Sequence, residues 1–280
     1  MRALSRSLMT TSDFDYIRNF VREQSAIVIE PGKEYLVHSR LQALRRKENF
    51  TSTESFVGKL RSDPNKGYHG KVVEAMTTNE TSFFRDIHPF EALRKVLLPQ
   101  FMASRAKERQ LNIWCGAAST GQEPYSVLML IAQNFPELLS WDIKFIATDL
   151  SREVLARARA GRYSQLEVNR GLPAAFLVKY FARQGIEWQI QDDLRRRVDF
   201  REMNLVKEWP LMPPLDFVFL RNDMIYFDIH TKKAILAKIR RLLRPGGYLL
   251  LGGAETTFNV DDGFERVVVD KATCYQLKPA

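Results

Sequence analysis

The hydrophobic positions change their period part-way along the chain. Between Asp13 and Gln24 the apolar residues Phe14, Ile17, Phe20 and Val21 recur three and four positions apart, the spacing of one buried helix face. Ser12 or Asp13 is the expected cap, because a short side-chain oxygen satisfies a free N–H of the first turn. A second helix is expected from Pro31 to Glu48. Tyr35, Leu36, Leu41 and Leu44 form its apolar face, and Lys33, Arg40, Arg45, Arg46 and Lys47 the other. Shorter helices fit Thr53–Arg61 and Lys71–Met76, and a longer one fits His88–Lys107 with an interruption near Pro99.

Beyond residue 110, short apolar runs alternate with helical stretches. Strands are expected at Leu111–Cys115, Asp142–Thr148, Leu215–Leu220 and Tyr248–Gly252. Helices are expected at Tyr125–Asn134, Arg152–Ala160 and Thr231–Leu243, the last stopped by Pro245-Gly246-Gly247. This rhythm predicts βαβ units and an α/β fold with a doubly wound, Rossmann-like parallel sheet. Residues 176–203 break it. Glu187–Gln191 and Val198–Arg201 read as short strands around a polar turn with Asp192, Asp193 and Arg195–Arg197. They form either a small antiparallel insert or an edge extension of the main sheet. The expected division is an all-helical domain at 1–76, a linker at 77–90, and an α/β domain at 91–280 with a small antiparallel β insert near 187–201.

Composition narrows the class. The 280 residues are 45% hydrophobic and 27% charged, which excludes a disordered or collagen-like chain. The net charge of +9 favours an acidic partner, and two thirds of that excess falls in residues 1–110. Cys115 and Cys274 are too few and too far apart for a disulfide framework or a Cys-rich zinc site, and the four histidines are scattered, so no metal is expected. The N-terminus lacks the apolar core of a signal peptide. No run approaches the roughly 20 apolar residues of a membrane span. A cytoplasmic protein with no direct membrane insertion is expected.

In a doubly wound sheet, ligands bind beyond the C-terminal strand ends. The first strand ends in Trp114-Cys115-Gly116-Ala117-Ala118-Ser119-Thr120-Gly121, with Glu123 opening the next helix, and the second ends in Asp149. Alone, each has an ordinary reading: a tight turn, a first-turn acid, a helix cap. Their order on consecutive strands favours a nucleoside ligand, with the acid on ribose hydroxyls; NAD and S-adenosylmethionine both fit. The Thr77–Asp86 segment, TTNETSFFRD, offers Asn79, Thr81 and the planar donor fork of Arg85, which together suit a carboxylate. A further polar string, Arg221-Asn222-Asp223-Met224-Ile225-Tyr226-Phe227-Asp228, follows the strand at 215–220.

Together these strings resemble the CheR-type chemotaxis receptor methyltransferases. TTNETSFFRD is similar to that family's TTNxTxFFR motif, NIWCGAASTGQEPYS to its cofactor loop, ATDLS to its second-strand acid and DFREMNL to its adenine-side segment. FLRNDMIYFD is similar to RNVxIYF, and LLRPGGYLLLGGAET to the late helix-to-strand turn with its acid. The resemblance runs from about Phe14 to the C-terminus. It implies transfer of a methyl group from S-adenosylmethionine to glutamates of chemoreceptor (methyl-accepting chemotaxis protein) cytoplasmic helices, leaving S-adenosylhomocysteine.

Residue by residue, the resemblance implies that Asn79, Thr81 and Arg85 border the cofactor and the transfer site. Glu123 and Asp149 hold polar groups of the cofactor, and Asn204 and Leu205 contact its adenosyl end. Asn222 and Asp223 lie along it, and Tyr226 points toward the methyl. Arg85 and Tyr226 are the expected catalytic, substrate-positioning pair. Lys33, Arg40, Arg45, Arg46 and Lys47 are the expected receptor-docking residues. Two departures stand out: Gln122 replaces a common acid, and Asp223 a usual apolar residue. The β insert looks short, so tethering by a receptor tail peptide is not expected. The protein is expected to be a monomer, recruited to receptor clusters at the inner membrane face. A nucleic-acid methyltransferase would usually carry an Asn/Asp-Pro-Pro-Tyr-type loop where this chain has Arg221-Asn222-Asp223-Met224, so no nucleic-acid partner is expected. An NAD oxidoreductase is disfavoured by the imperfect glycine pattern. A non-catalytic adaptor stays open through Asp223.

Overall fold

A computed structural model describes residues 9–63 and 67–278. The chain forms two compact units. One runs to Thr78 and includes Tyr226–Thr231; the other holds Asn79–Ile225 and the chain from Lys232 onward.

The first unit contains α1 (Thr11–Ser25), α2 (Glu34–Lys47), α3 (Thr53–Arg61) and α4 (His69–Met76). The stripes Phe14, Ile17, Phe20 and Val21 on α1, Phe56, Val57 and Leu60 on α3, and Val72, Val73 and Met76 on α4 are buried, as amphipathic helices require. The cap of α1 is Thr10, whose hydroxyl accepts from the Asp13 N–H, rather than Ser12 or Asp13. The buried stripe of α2 is Val37, Leu41 and Leu44. Tyr35, assigned to that stripe from sequence, is 68% exposed. Its place two positions before Val37 turns it about 200° around the helix. Pro31 and Gly32 form a turn, with Gly32 at φ +86°, and α2 begins only after it.

The second unit opens with α5 (His88–Ala92), a π-turn (Leu93–Leu97) and α6 (Leu98–Ser104), which follow without a gap. The expected interruption at Pro99 is taken up by the π-turn, which widens the backbone ladder just where proline supplies no N–H. Then come β1 (Gln110–Gly116), α7 (Gln122–Asn134), β2 (Asp142–Asp149), α8 (Arg152–Ala160) and β3 (Arg162–Ser164). After these follow α9 (Gln165–Asn169), α10 (Ala174–Tyr180), β4 (Phe181–Gln184), β5 (Glu187–Ile190), α11 (Asp192–Arg195) and β6 (Val198–Glu202). The chain finishes with β7 (Leu215–Leu220), α12 (Ile229–Leu242), β8 (Leu243–Leu251), β9 (Phe264–Val269) and β10 (Ala272–Leu277).

Seven strands pair in the order β6-β2-β1-β7-β8-β10-β9. Five are parallel; β10 runs antiparallel to both β8 and β9. β7 is buried at every position and β1 at all but its first, the signature of a sheet covered on both faces. The order reverses between β1 and β7, which is the switch point where such sheets open a crevice. Against β7, the pairing register slips between Leu243 and Tyr248, so Pro245-Gly246-Gly247 is looped out inside β8.

The two strand-like pieces of residues 176–203 part company. Glu187–Ile190 is the middle strand of a small antiparallel sheet, β3-β5-β4. Val198–Glu202 instead joins the main sheet, parallel to β2. The insert therefore ends at Ile190 and does not include 198–201. Its outer strands, β3 and β4, and the closing β9-β10 hairpin carried too short or too irregular an apolar alternation to be expected from sequence.

Candidate active site

Four neighbouring strand ends line the crevice, because Ala147, Cys115, Phe219 and Leu250 stand at one level of β2, β1, β7 and β8. Just beyond that level lie Asp149, Gly116, Arg221 and Gly252.

The turn after β1 is shaped by backbone chemistry. Ala117 and Ser119 take positive φ values of 51° and 50°, and Gly121 reaches 91° before α7 starts. A Cβ on Gly121 would lie 3.1 Å from both Ala158 and Tyr125, so the position calls for glycine on both counts. The Ala118 N–H donates to the Thr148 carbonyl, laying the turn over the end of β2. Asp149 ties both sides together: Oδ2 accepts from the Ser119 N–H at 2.8 Å and Oδ1 from the Ser151 N–H at 2.9 Å. Gln122, the departure noted in the sequence, is buried and accepts from the Thr120 hydroxyl at 2.7 Å, a neutral pairing that an acid would not need to leave.

The Asn79–Asp86 segment is fastened to the same unit. The Ser119 hydroxyl donates to the Asn79 carbonyl at 2.8 Å, and the Phe84 N–H donates to Ser126 Oγ at 3.0 Å. Phe83 is fully buried against Tyr163 and Phe181. Thr81 is half-buried, and Arg85 is half-buried with one nitrogen on the Glu80 carbonyl at 3.0 Å. Glu80 pairs with Arg170, whose hydrogen bond holds its carboxyl below the usual range.

Arg221 is the hub. Its side chain is 2% exposed and meets Glu123 Oε2 at 2.6 Å, Asp86 Oδ2 at 3.1 Å and the Arg85 carbonyl at 2.8 Å. Burial pushes the Glu123 carboxyl up, and Arg221 pulls it back. Glu255 anchors the far side: its carboxylate accepts from the Asn222 N–H at 2.8 Å, the Gly252 N–H at 2.6 Å and the Ile225 N–H at 3.2 Å. A Cβ on Gly252 would sit 2.6 Å from Asn222 Nδ2, so β8 can approach the β7 loop this closely only with glycine there. Asn222 itself is left-handed, at φ 61°. Neither Arg221 nor Glu255 was singled out as a site residue from sequence. The only available signal was their place inside strings otherwise read for their neighbours.

Asp223 is half-buried in the same loop. Burial, then Asp149 and Glu255, raise its pKa to about 7. Asn204 is linked to Asp149 through the Met203 N–H, which donates to the Asp149 carbonyl at 2.9 Å. Leu205 is buried, and its carbonyl accepts from Trp209 Nε1 and Lys238 Nζ.

The α/β unit holds Asn79, Thr81, Arg85, Glu123, Asp149, Asn204, Leu205, Asn222 and Asp223. Tyr226 belongs instead to the helical unit, where its carbonyl accepts from the Val28 N–H at 2.9 Å. Of the α2 cations, Lys33, Arg46 and Lys47 are exposed. Arg40 is half-buried and donates to the Met76 carbonyl and Thr78 Oγ1; Arg45 donates to the carbonyls of Phe50 and Thr51. Burial lowers the Arg40 pKa, and Tyr226 acts to raise it.

A parallel sheet with its crevice at the β1/β7 switch, an acid at the end of β2 and a glycine-bearing turn after β1 define an α/β protein of the nucleoside-cofactor-binding class. The comparisons specify it. Residues 79–273 match the family profile described as the CheR methyltransferase SAM-binding domain, and residues 12–77 match the CheR methyltransferase all-alpha domain. The chain belongs to the CheR methyltransferase family. It is 37% identical to the chemotaxis protein methyltransferase Cher2 of Pseudomonas putida KT2440, over 95% of this chain and 98% of that one. It is 38% identical to chemotaxis protein methyltransferase 1 of Pseudomonas aeruginosa PAO1, with the same coverage. It is also 38% identical to the chemotaxis protein methyltransferase of Vibrio parahaemolyticus, over 96% and 99%.

The cofactor is S-adenosylmethionine, and the crevice suits it. Asp149 and Glu255 act together on Asp223, and a group of carboxyls of this kind favours a cationic sulfonium ligand. Among the described residues no helix is long and apolar enough to cross a membrane.

Proposed function

We propose that this enzyme methylates glutamate side chains of chemoreceptor cytoplasmic helices, giving glutamyl methyl esters. The carrying observation is the fastening of the Arg85 segment to the cofactor turn through Ser119–Asn79 and Arg221–Arg85, which supports a carboxylate-binding cation held at the transfer site. Bound S-adenosylmethionine would supply a methyl already activated on sulfur, so the acceptor carboxylate would need no base.

A glutamate with a pKa near 4.3 is ionised at neutral pH, so the chain's residues have positioning to do rather than proton transfer. Alignment of this kind lowers barriers by roughly 7–11 kcal/mol in favourable cases. Asp149 and Glu123 hold polar groups of the cofactor, Asn204 and Leu205 flank its adenosyl end, and Asn222 and Asp223 lie along it. Asn79, Thr81 and Arg85 border the transfer site. Arg85 orients the acceptor carboxylate, and Tyr226 is the second positioning residue of this reading. With cofactor and receptor saturating, Arg85→Ala and Tyr226→Phe should each lower turnover at least tenfold. Full turnover in both would remove them from the site.

The domain to residue 76 docks the receptor, through the exposed Lys33, Arg46 and Lys47 more than through Arg40 and Arg45, whose guanidinium groups hold the chain's own carbonyls. Recruitment to receptor clusters follows from that docking, with the protein acting as a monomer. The three- and four-residue outer strands β3 and β4 offer little edge for a tail peptide to extend, so tail tethering is not part of this reading. The deciding experiment is incubation with methyl-labelled cofactor and receptor-enriched membranes. Base-labile label on a receptor supports the reading; label on nucleic acid, or none on protein, overturns it.

A further inference from the structure

Asp223 has no ordinary structural employment. The carboxylates nearest it are used: Asp149 accepts from the Ser119 and Ser151 N–H groups, and Glu255 from those of Gly252, Asn222 and Ile225. No described residue donates a hydrogen bond to Asp223. Arg221, two positions earlier, is turned to Glu123 and Asp86, and Arg85 to the Glu80 carbonyl. Asp223 sits in the loop after β7 between Asn222 and Ile225, whose N–H groups are both held by the Glu255 carboxylate, and the negative charges of Glu255 and Asp149 act on it. A carboxyl so placed is costly to ionise unless a positive charge enters the crevice.

We propose that Asp223 is a specificity-determining residue of the cofactor site: it ionises in favour of a sulfonium ligand and gives no such support to the neutral thioether product. The inference rests on the cofactor-site reading above and deepens it. With its midpoint at about 7, the free acid is partly protonated near neutrality. A bound sulfonium adds one positive charge that the product lacks, so cofactor binding expels the proton and product binding leaves it in place. A cation that lowers the midpoint by one unit raises affinity about tenfold across the titration. The consequence is an enzyme that loosens its product relative to its cofactor as pH rises.

The test is calorimetry of the whole protein with S-adenosylmethionine and, separately, S-adenosylhomocysteine, between pH 6 and pH 8 in buffers of different ionisation heat. For the cofactor, release of about half a proton is expected near pH 6.5, with little for the product. The ratio of product Kd to cofactor Kd should rise about fivefold from pH 6 to pH 8. In Asp223→Asn and Asp223→Val both the proton release and the pH dependence of the ratio should vanish. Tight cofactor binding by the natural chain with a flat ratio and no proton release would overturn the proposal while leaving the cofactor site standing. Failure of the natural chain to bind either ligand would overturn the cofactor-site reading and this proposal with it.

Discussion

At the strand ends of the α/β unit Arg221 is 2% exposed and holds three partners, whereas on α2 of the helical unit Lys33 and Arg46 stand in solvent. The same kind of charge does opposite work in the two regions. Around Arg221, Asp149 and Glu255, ions replace water with backbone N–H and carbonyl groups, so the loops they touch have one permitted arrangement. The exposed Lys33 and Arg46 side chains keep their water and hold no other described residue. In the proposed docking their value would be as a long-range field and as register for an acidic surface. Buried charge should therefore carry large, salt-insensitive effects on folding and cofactor binding. Exposed charge should carry small, salt-sensitive effects on encounter.

Removing Arg221 is the severest test of that contrast. Arg221→Ala leaves Glu123 inside without its cation and frees the Arg85 carbonyl and Asp86. A broken buried pair costs about 3–5 kcal/mol. Denaturant unfolding should show that loss, and calorimetry should show loss of cofactor binding. A change under 1 kcal/mol would put Arg221 among the ordinary surface ions and end the comparison. Glu255→Gln comes next. It keeps the shape, but its amide has a single acceptor oxygen: the bonds from the Asn222 and Gly252 N–H groups become neutral and the NH2 faces the Ile225 N–H donor. The expected cost is about 2 kcal/mol, read as a lower denaturation midpoint.

The two regions also differ in how openly the sequence announced them. The buried stripes of α1 and α3 and the strands β1, β2, β7 and β8 declared themselves through period alone, because one face or both faces of each must be apolar. Glu123 and Asp149 were visible because strand ends are predictable places. Arg221 and Glu255 were not, since their partners lie 98 and 33 positions away in the chain. Tyr226 sits in a string that reads as part of the α/β unit, yet the chain leaves that unit at Ile225 and returns at Lys232. No local pattern encodes such an excursion. Tyr35 misled because an aromatic near an apolar stripe looks buried until the helix start is known. Val198–Glu202 was undecided between two sheets because a five-residue strand carries no information about its partner.

A smaller effect tests the buried side by pH. The folded pKa of Asp223, about 7, lies above the ordinary 3.8. Between those values the folded state binds more protons than the unfolded state, so this group makes stability fall as pH rises through the window. Asp223→Asn should remove that slope. Without cofactor, its thermal midpoint should match the natural chain near pH 4 and exceed it by a few degrees at pH 8. Parallel curves across the whole range would mean that Asp223 is as well hydrated as an α2 side chain.

The smallest expected effect on folding belongs to α2 itself. Reversing Lys33 and Arg46 to glutamate touches exposed positions, so the unfolding free energy should move by no more than about 0.5 kcal/mol. Cofactor affinity should not move at all. What should move is the encounter with an acidic receptor helix: a higher apparent KM at low salt, little change in kcat, and a flatter dependence on ionic strength. Arg45→Ala offers the internal control. Its guanidinium caps the carbonyls of Phe50 and Thr51, so its loss should lower stability by about 1 kcal/mol and leave the salt dependence nearly intact. If instead Arg45→Ala flattened the salt dependence as much as the reversed exposed pair, buried and exposed cations on this helix would be acting alike, and the division of labour drawn from Arg221 would not extend to the helical unit.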